Sequence, residues 1–460
     1  MRKAFVIGLC LLGAMATRGV AGVPDDRLVQ AVRGADHKAL QTLLAAHVDP
    51  NAPLPDKSTV LAWAVDRQDL ESVRLLLKAG ADPNISDMSG TTPMALACEL
   101  GKPDIVLALL GAGGDAKTTR ADGTSALELC ARGSTPVVLE RLIAGGADVN
   151  AADPQGQTPL MWAAEKGRTG NIALLLKHGA RVNAVSRKGF TPLLFAMKSQ
   201  VPEAASLILN AGADTKAALA DGSSLIEAAI KVRNFPVALE LISRGVDIDR
   251  RDGEGRQLIH LAALSGSADL VKAVLAKGAD PNAMSHPKPA KYVDPIPGAN
   301  GGATPLLFAA AAGSVDAMKA LIAAGAKPDL KGEDGTTLLL AAAYGGDLAA
   351  TKFAYELDPH MAVRGAGGVT PIHMAVMNQR APEPEAVINY LADNGAKLNA
   401  RARIDAGIDR IYTASDYANR SARASTRVFF IEFLHQRGVV LPAPGPASDL
   451  AAEIKASPNG

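Results

Sequence analysis

The sequence predicts an all-α repeat solenoid of about twelve helix-turn-helix units joined by short hairpin-like finger loops, and three observations predict it. Glycine recurs every 33 residues at Gly90, Gly123, Gly156, Gly189, Gly222 and Gly255, and the register resumes at Gly302, Gly335 and Gly368. Helix-start and helix-stop residues recur in step with it. Aromatic residues are only 4% of the 460 residues, which suits short helices packed on small side chains, each unit touching only its neighbours.

At the N-terminus, Arg2 and Lys3 precede a nearly continuous apolar run from Ala4 to Ala16, with small residues at Ala14-Met15-Ala16 and Val20-Ala21-Gly22. That is the pattern of a cleaved export signal, assigned to residues 1–22. The run falls short of the roughly 18 apolar residues that span a bilayer, so no membrane span is expected. Cys10 follows Ile7-Gly8-Leu9, too early and in the wrong context for a lipid-modified cysteine. Residues 23–56 lack the helix-start signal of the later units and read as an N-terminal capping repeat.

Residues 57–400 hold about ten repeats. Two positions after the periodic glycine comes Thr92-Pro93-Met94, Thr158-Pro159-Leu160, Thr191-Pro192-Leu193, Thr304-Pro305-Leu306 or Thr370-Pro371-Ile372. Thr is a good N-cap, and Pro fits the first helical position, where its missing N–H costs nothing. Small pairs such as Ala163-Ala164 and Ala262-Ala263 follow, letting neighbouring first helices approach closely. The second helix carries aliphatics at helical spacing, such as Ile172, Leu175 and Leu176. It stops at Gly80-Ala81-Asp82, Gly146-Ala147-Asp148, Gly212-Ala213-Asp214 or Gly278-Ala279-Asp280, where Gly supplies the left-handed residue that ends a helix. The step from Gly255 to Gly302 is 47 residues, one repeat plus 14, and places a Pro-rich finger insertion at 285–301. The step from Thr370 to Thr413 is 43 residues, placing extra residues between the helices at 380–385 and in the finger around 401–411. Residues 401–440 read as a C-terminal capping repeat and 441–460 as a flexible Pro/Ala/Ser-rich tail.

This turn, two short antiparallel helices and projecting finger resemble the ankyrin repeat, from about residue 24 to 440. The family places a His two residues after the Pro, tying the turn to its neighbour. His260 and His373 match, whereas Ala95, Glu128, Met161, Leu194, Glu227, Leu307 and Leu340 fill that slot elsewhere, so uneven stability along the array is expected. The resemblance implies a non-catalytic scaffold whose fingers and outward first-helix positions form a concave surface that binds another protein. An inhibitor or immunity-type protein blocking a toxin or exported enzyme is the alternative within that class.

Other chemistries find little footing. The formal net charge is +1 with the signs well mixed, so no nucleic-acid partner is expected. The eight histidines are scattered without His-Glu-x-x-His, so no metal and no cofactor is expected. Gly111 to Thr118 has the outline of a phosphate-binding loop, but Ala116 stands where the glycine before Lys117 belongs, and the stretch follows a helix. No catalytic residue stands out. Beyond the signal only Cys98 and Cys130 remain, filling small-residue slots of adjacent first helices and offset by one slot. A disulfide needs Cα atoms within about 7 Å, and free buried thiols are expected. A monomer, periplasmic or secreted, is the expected state.

Two groups of residues are candidates for partner binding. In the central repeats Arg187, Lys188, Phe190 and Lys198, followed by Lys231 and Arg256, occupy finger and outward helix positions. A Phe ringed by cations there has the make-up of an interface anchor, although a half-buried Phe with a solvated charged rim accounts for the same residues. The insertion is the second, with Lys291, Tyr292 and Ile296 on a segment held semi-extended by prolines. A tolerated surface insertion is the other reading of it.

Overall fold

The computed structural model describes residues 25–216, 219, 221–286, 302–378, 381–402, 412–421 and 424–440. The signal segment, most of the insertion with Lys291, Tyr292 and Ile296, the 403–411 part of the last finger and the tail lie outside the described residues. The chain divides into two compact units, Met1–Ala213 and Asp214–Gly460.

Six helix pairs, here numbered as repeats, build the first unit: α1 (Asp26–Gly34) with α2 (His37–Ala45), α3 (Val60–Asp66) with α4 (Leu70–Lys78), α5 (Pro93–Glu99) with α6 (Pro103–Gly111), α7 (Ala126–Gly133) with α8 (Pro136–Ala144), α9 (Pro159–Glu165) with α10 (Thr169–Lys177), and α11 (Pro192–Lys198) with α12 (Pro202–Asn210). The second unit holds α13 (Leu225–Lys231) with α14 (Phe235–Ser243), α15 (Leu258–Leu264) with α16 (Ala268–Ala276), α17 (Pro305–Ala311) with α18 (Val315–Ala323), α19 (Leu338–Gly345) with α20 (Leu348–Leu357), α21 (Pro371–Met377) with α22 (Pro384–Asp393), and α23 (Ala414–Ser421) with α24 (Ala424–Gln436). A two-residue ladder, β1 (Arg401–Ala402) against β2 (Tyr412–Thr413), closes the last finger.

The capping residues act as their spacing predicts. Thr158 Oγ1 accepts the Met161 N–H at 3.4 Å, with Pro159 at the first helical position, and Thr92 and Thr191 cap α5 and α11 the same way. Gly146 stops α8 at φ +94°, a backbone that a side chain would strain. First helices bury their Leu or Met and small residues, and second helices their inward aliphatics: Leu160, Ala163, Ala164, Ile172 and Leu175 in the fifth repeat are all fully buried. One such aliphatic contributes about 1.5–3 kcal/mol. In the second unit the core gathers around Ile372, Val387, Ile388, Leu391, Phe430 and Leu434.

In several fingers an asparagine ties the finger to the next repeat. In Gly-Ala-Asp-x-Asn, Asp82 Oδ1 accepts the Asn84 N–H, Asn84 Nδ2 donates to Gly113 O at 3.2 Å, and Asn84 Oδ1 accepts the Asp115 N–H at 2.7 Å. Asn51 and Asn150 repeat both bonds in the first unit. Asn282 does so in the second, reaching Gly325 across the insertion.

The expectation of free thiols is overturned. Cys98 on α5 and Cys130 on α7 form a disulfide, with their Cα atoms 4.5 Å apart and both side chains fully buried. The offset by one slot, read as an obstacle, is what brings them together. Equivalent positions on two parallel neighbouring helices point the same way and cannot face each other. The right-hand side of one helix meets the left-hand side of the next, so the second small slot of α5 faces the first small slot of α7. Small residues then allow a close approach: a Cβ on Gly101 would lie 3.0 Å from the Gly133 carbonyl oxygen.

Candidate functional site

The sixth repeat presents its charges on a finger built by Ser186. The Ser186 N–H donates to Phe190 O at 2.9 Å, and Ser186 Oγ accepts the Phe190 N–H at 3.0 Å. Gly189, at φ +78°, closes the turn. Arg187 and Lys188 therefore stand exposed at the tip, and the Arg187 N–H donates to Gln155 O of the preceding finger at 2.8 Å. Phe190 lies on the return strand, half-buried. Thr191 then starts α11, which carries Phe195 in its middle and Lys198 at its end. The two rings lie 6.0 Å apart, and the Lys198 ammonium sits 5.8 Å from the Phe190 ring centre. Of the nine candidate residues, these four, Arg187, Lys188, Phe190 and Lys198, are brought together.

Two aromatic residues of this face escaped the sequence reading. Trp162 of α9 and Phe195 of α11 occupy the same slot in packed neighbouring helices. The signal was present, since Trp63, Leu96, Leu129, Trp162 and Phe195 succeed one another at 33-residue steps. The slot lies inside the small-residue stretch, beside the buried Met161, Ala163 and Ala164. It is half-buried at Trp63, Trp162 and Phe195. The Arg33 guanidinium lies 5.0 Å from the Trp63 ring and that of Arg132 5.5 Å from Trp162. Trp63 Nε1 donates to Ser58 Oγ at 3.2 Å, whereas Trp162 Nε1 finds no acceptor. Val185, on the outgoing strand of the sixth finger, is 62% exposed.

Lys231 and Arg256 belong to the second unit and have other surroundings. Arg256 takes the slot of Phe190 in its repeat, but its guanidinium pairs with Asp252 at 2.8 Å and Glu254 at 2.9 Å, within its own finger. Lys231 is exposed at the end of α13. Asp221 is held below the usual carboxylate range by the Ser223 hydroxyl and N–H, with a smaller pull from the Lys231 charge. A cavity of about 580 Å³ opens nearby, lined by Lys216, Glu227, Arg244, Asp247 and Arg250. Two of its cations are paired, Arg244 with Glu240 at 2.6 Å and Arg250 with Glu227 at 3.7 Å.

Three buried titratable groups share the third position of a first helix. His260 accepts the Gln257 N–H at Nδ1 and donates from Nε2 to Ala283 O at 2.9 Å, joining its turn to the next finger. His373 spans from the Thr370 hydroxyl to Tyr412 O in the same manner. Burial pushes both imidazoles down to about 4. Glu128 closes a capping box with Ser125 while wholly buried, and its Oε1 is unpartnered. Burial raises its carboxyl above the usual range. These groups are structural, each bound to backbone of its own or the neighbouring repeat. Among the described residues no cluster of His, Cys, Asp or Glu could hold a metal ion, and no helix is long and apolar enough to cross a membrane.

No curated protein matches the chain. Family models do: one described as "Ankyrin repeats (3 copies)" matches residues 28–122, 127–218 and 306–402, and one described as "Ankyrin repeats (many copies)" matches 226–275. The matches cover well over half of the chain and coincide with the capped helix pairs, so this protein belongs to the ankyrin-repeat family.

Proposed function

We propose that this protein is an exported, non-catalytic scaffold that grips a partner protein on the finger and first-helix face of repeats five and six. Ankyrin repeats indicate a protein-interaction scaffold, and the fold leaves open which surface is used. The observation that carries the choice is the cluster of Trp162, Phe190 and Phe195 beside Arg187, Lys188 and Lys198. Aromatic anchors with adjoining cations, free of packing duty on one side, are the composition of binding hot spots.

The disulfide supports export. Such bonds persist in oxidising compartments and are rare where thiol reductants are abundant, and this one lies fully buried between two repeats. A cleaved N-terminal signal would place the protein in the periplasm or outside the cell. Fractionation of the tagged full-length protein tests this, and retention in the cytoplasm with both thiols reduced would refute it.

The binding face is tested by cross-linked capture from the compartment in which the protein resides, comparing wild type with Phe190→Ala/Lys198→Ala. Both side chains contact solvent, so the melting temperature should hold within about 2 °C. Recovery of the specific partner should fall by about tenfold or more. Equal recovery by the double variant would move the interface elsewhere.

A further inference from the structure

We infer that the partner segment held at repeats five and six is acidic and bears an aromatic or long aliphatic side chain, a deduction that rests on the interface reading above. The chain carries 48 basic and 47 acidic residues, so a local surplus of one sign is a feature of place and not of composition. Several finger and helix-end cations have carboxylate partners: Arg120 pairs with Glu99 at 3.0 Å, Arg132 with Glu165 at 3.7 Å, and Arg256 with Asp252 and Glu254. Arg187, Lys188 and Lys198 have no carboxylate partner among the described residues, and all three are exposed around one aromatic pair.

The origin of the surplus is visible in one residue. In the third, fifth and eighth repeats the finger turn is closed by the carboxylates of Asp87, Asp153 and Asp252, each accepting two backbone N–H groups. In the sixth repeat Ser186 stands in that place, and its neutral hydroxyl accepts the Phe190 N–H. The carboxylate that neutralises Arg256 in its finger has no counterpart beside Arg187 and Lys188.

Charge complementarity thus asks for carboxylates, and the rings of Phe190, Phe195 and Trp162 ask for an apolar side chain between them. A single-stranded nucleic acid also seeks cations and aromatic faces. Here Glu165 lies in the same row, 3.7 Å from Arg132 and 3.9 Å from Lys166. A closely spaced row of phosphates would be repelled there, whereas the sparser charges of a peptide can avoid it.

The experiment is selection of a random-peptide library on the full-length protein, with Arg187→Ala/Lys188→Ala/Lys198→Ala as the comparison and melting temperature as the folding control. Selected peptides should combine Asp or Glu with Trp, Phe, Tyr or Leu, and bind the triple variant about tenfold more weakly or worse. The charge-preserving variant Arg187→Lys/Lys198→Arg should retain them. No enrichment, neutral or basic sequences, or equal enrichment on the triple variant overturns the inference, as does tighter binding of an oligothymidylate than of any selected peptide. Loss of natural-partner capture in Phe190→Ala/Lys198→Ala alongside non-acidic selected peptides would leave the interface standing and remove only its chemistry. Unchanged capture would remove the interface itself.

Discussion

At the scale of single residues, the Asn that several fingers carry bears more structural duty than its exposed position suggests. Asn150 donates to Gly179 O at 3.1 Å and accepts the Arg181 N–H at 2.8 Å, satisfying the end of the neighbouring helix pair from outside. Each such bond is worth about 1 kcal/mol net. Asn150→Ala should therefore destabilise the first unit by about 1–2 kcal/mol, read as a lower denaturation midpoint with an unchanged slope. An unaltered midpoint would show that water replaces both bonds without cost. The repeated Asn was legible as a letter, but its role was not, because its partners lie 29 and 31 residues away on the next repeat. His260 and His373 were legible in both identity and role, since the family resemblance specifies the turn they tie.

At the scale of elements, helix starts and stops follow local chemistry and are readable in one sequence. Facing between helices is not. The pairing of Cys98 with Cys130 depends on which flank of α5 meets which flank of α7, and residue spacing alone assigns the two cysteines to slots without saying which slots touch. The consequence is a covalent link across the third and fourth repeats. A cross-link closing a loop of this length, with 32 residues of separation, restricts the unfolded chain by about 3–4 kcal/mol in the loop-closure account. Intact-mass analysis should show the oxidised form, about 2 Da lighter than after reduction. Cys98→Ala/Cys130→Ala should fold with the same secondary structure but unfold at lower denaturant, with hydrogen exchange rising first in α5 and α7. Exchange unchanged in those helices on removal of the bond would show that packing alone holds the repeats together.

At the scale of the whole molecule, the 33-residue period made the architecture legible because each unit repeats the same caps, small pairs and stops. The site was half legible. Phe190 and its cations stand out against the repeat pattern, whereas Trp162 and Phe195 sit where the pattern expects packing, and only the structure separates a half-buried ring from a buried one. The same slot-by-slot variation gives the buried groups of this slot opposite responses to pH in the two units. In the second, His260 and His373 titrate near 4 when folded and near 6.5 when unfolded. The unfolded chain takes up protons first as pH falls, so their contribution is complete above pH 6.5 and is lost between 6.5 and 4. Each accounts for roughly 3 kcal/mol at one pKa unit per 1.36 kcal/mol. In the first unit the slot holds Glu128, whose folded carboxyl titrates above its unfolded value. Its stability is complete below the unfolded value of 4.5 and declines as pH rises toward the folded one. Hydrogen exchange on the full chain at pH 7 and pH 5, corrected for intrinsic rates, should therefore show α15, α17 and α21 loosening in acid while α7 and α9 hold or tighten. His260→Gln/His373→Gln should abolish the acid response of the second unit, and Glu128→Gln should flatten that of the first. Parallel loosening of both units in the wild type would mean that surface carboxylates, and not these buried groups, govern the response to acid.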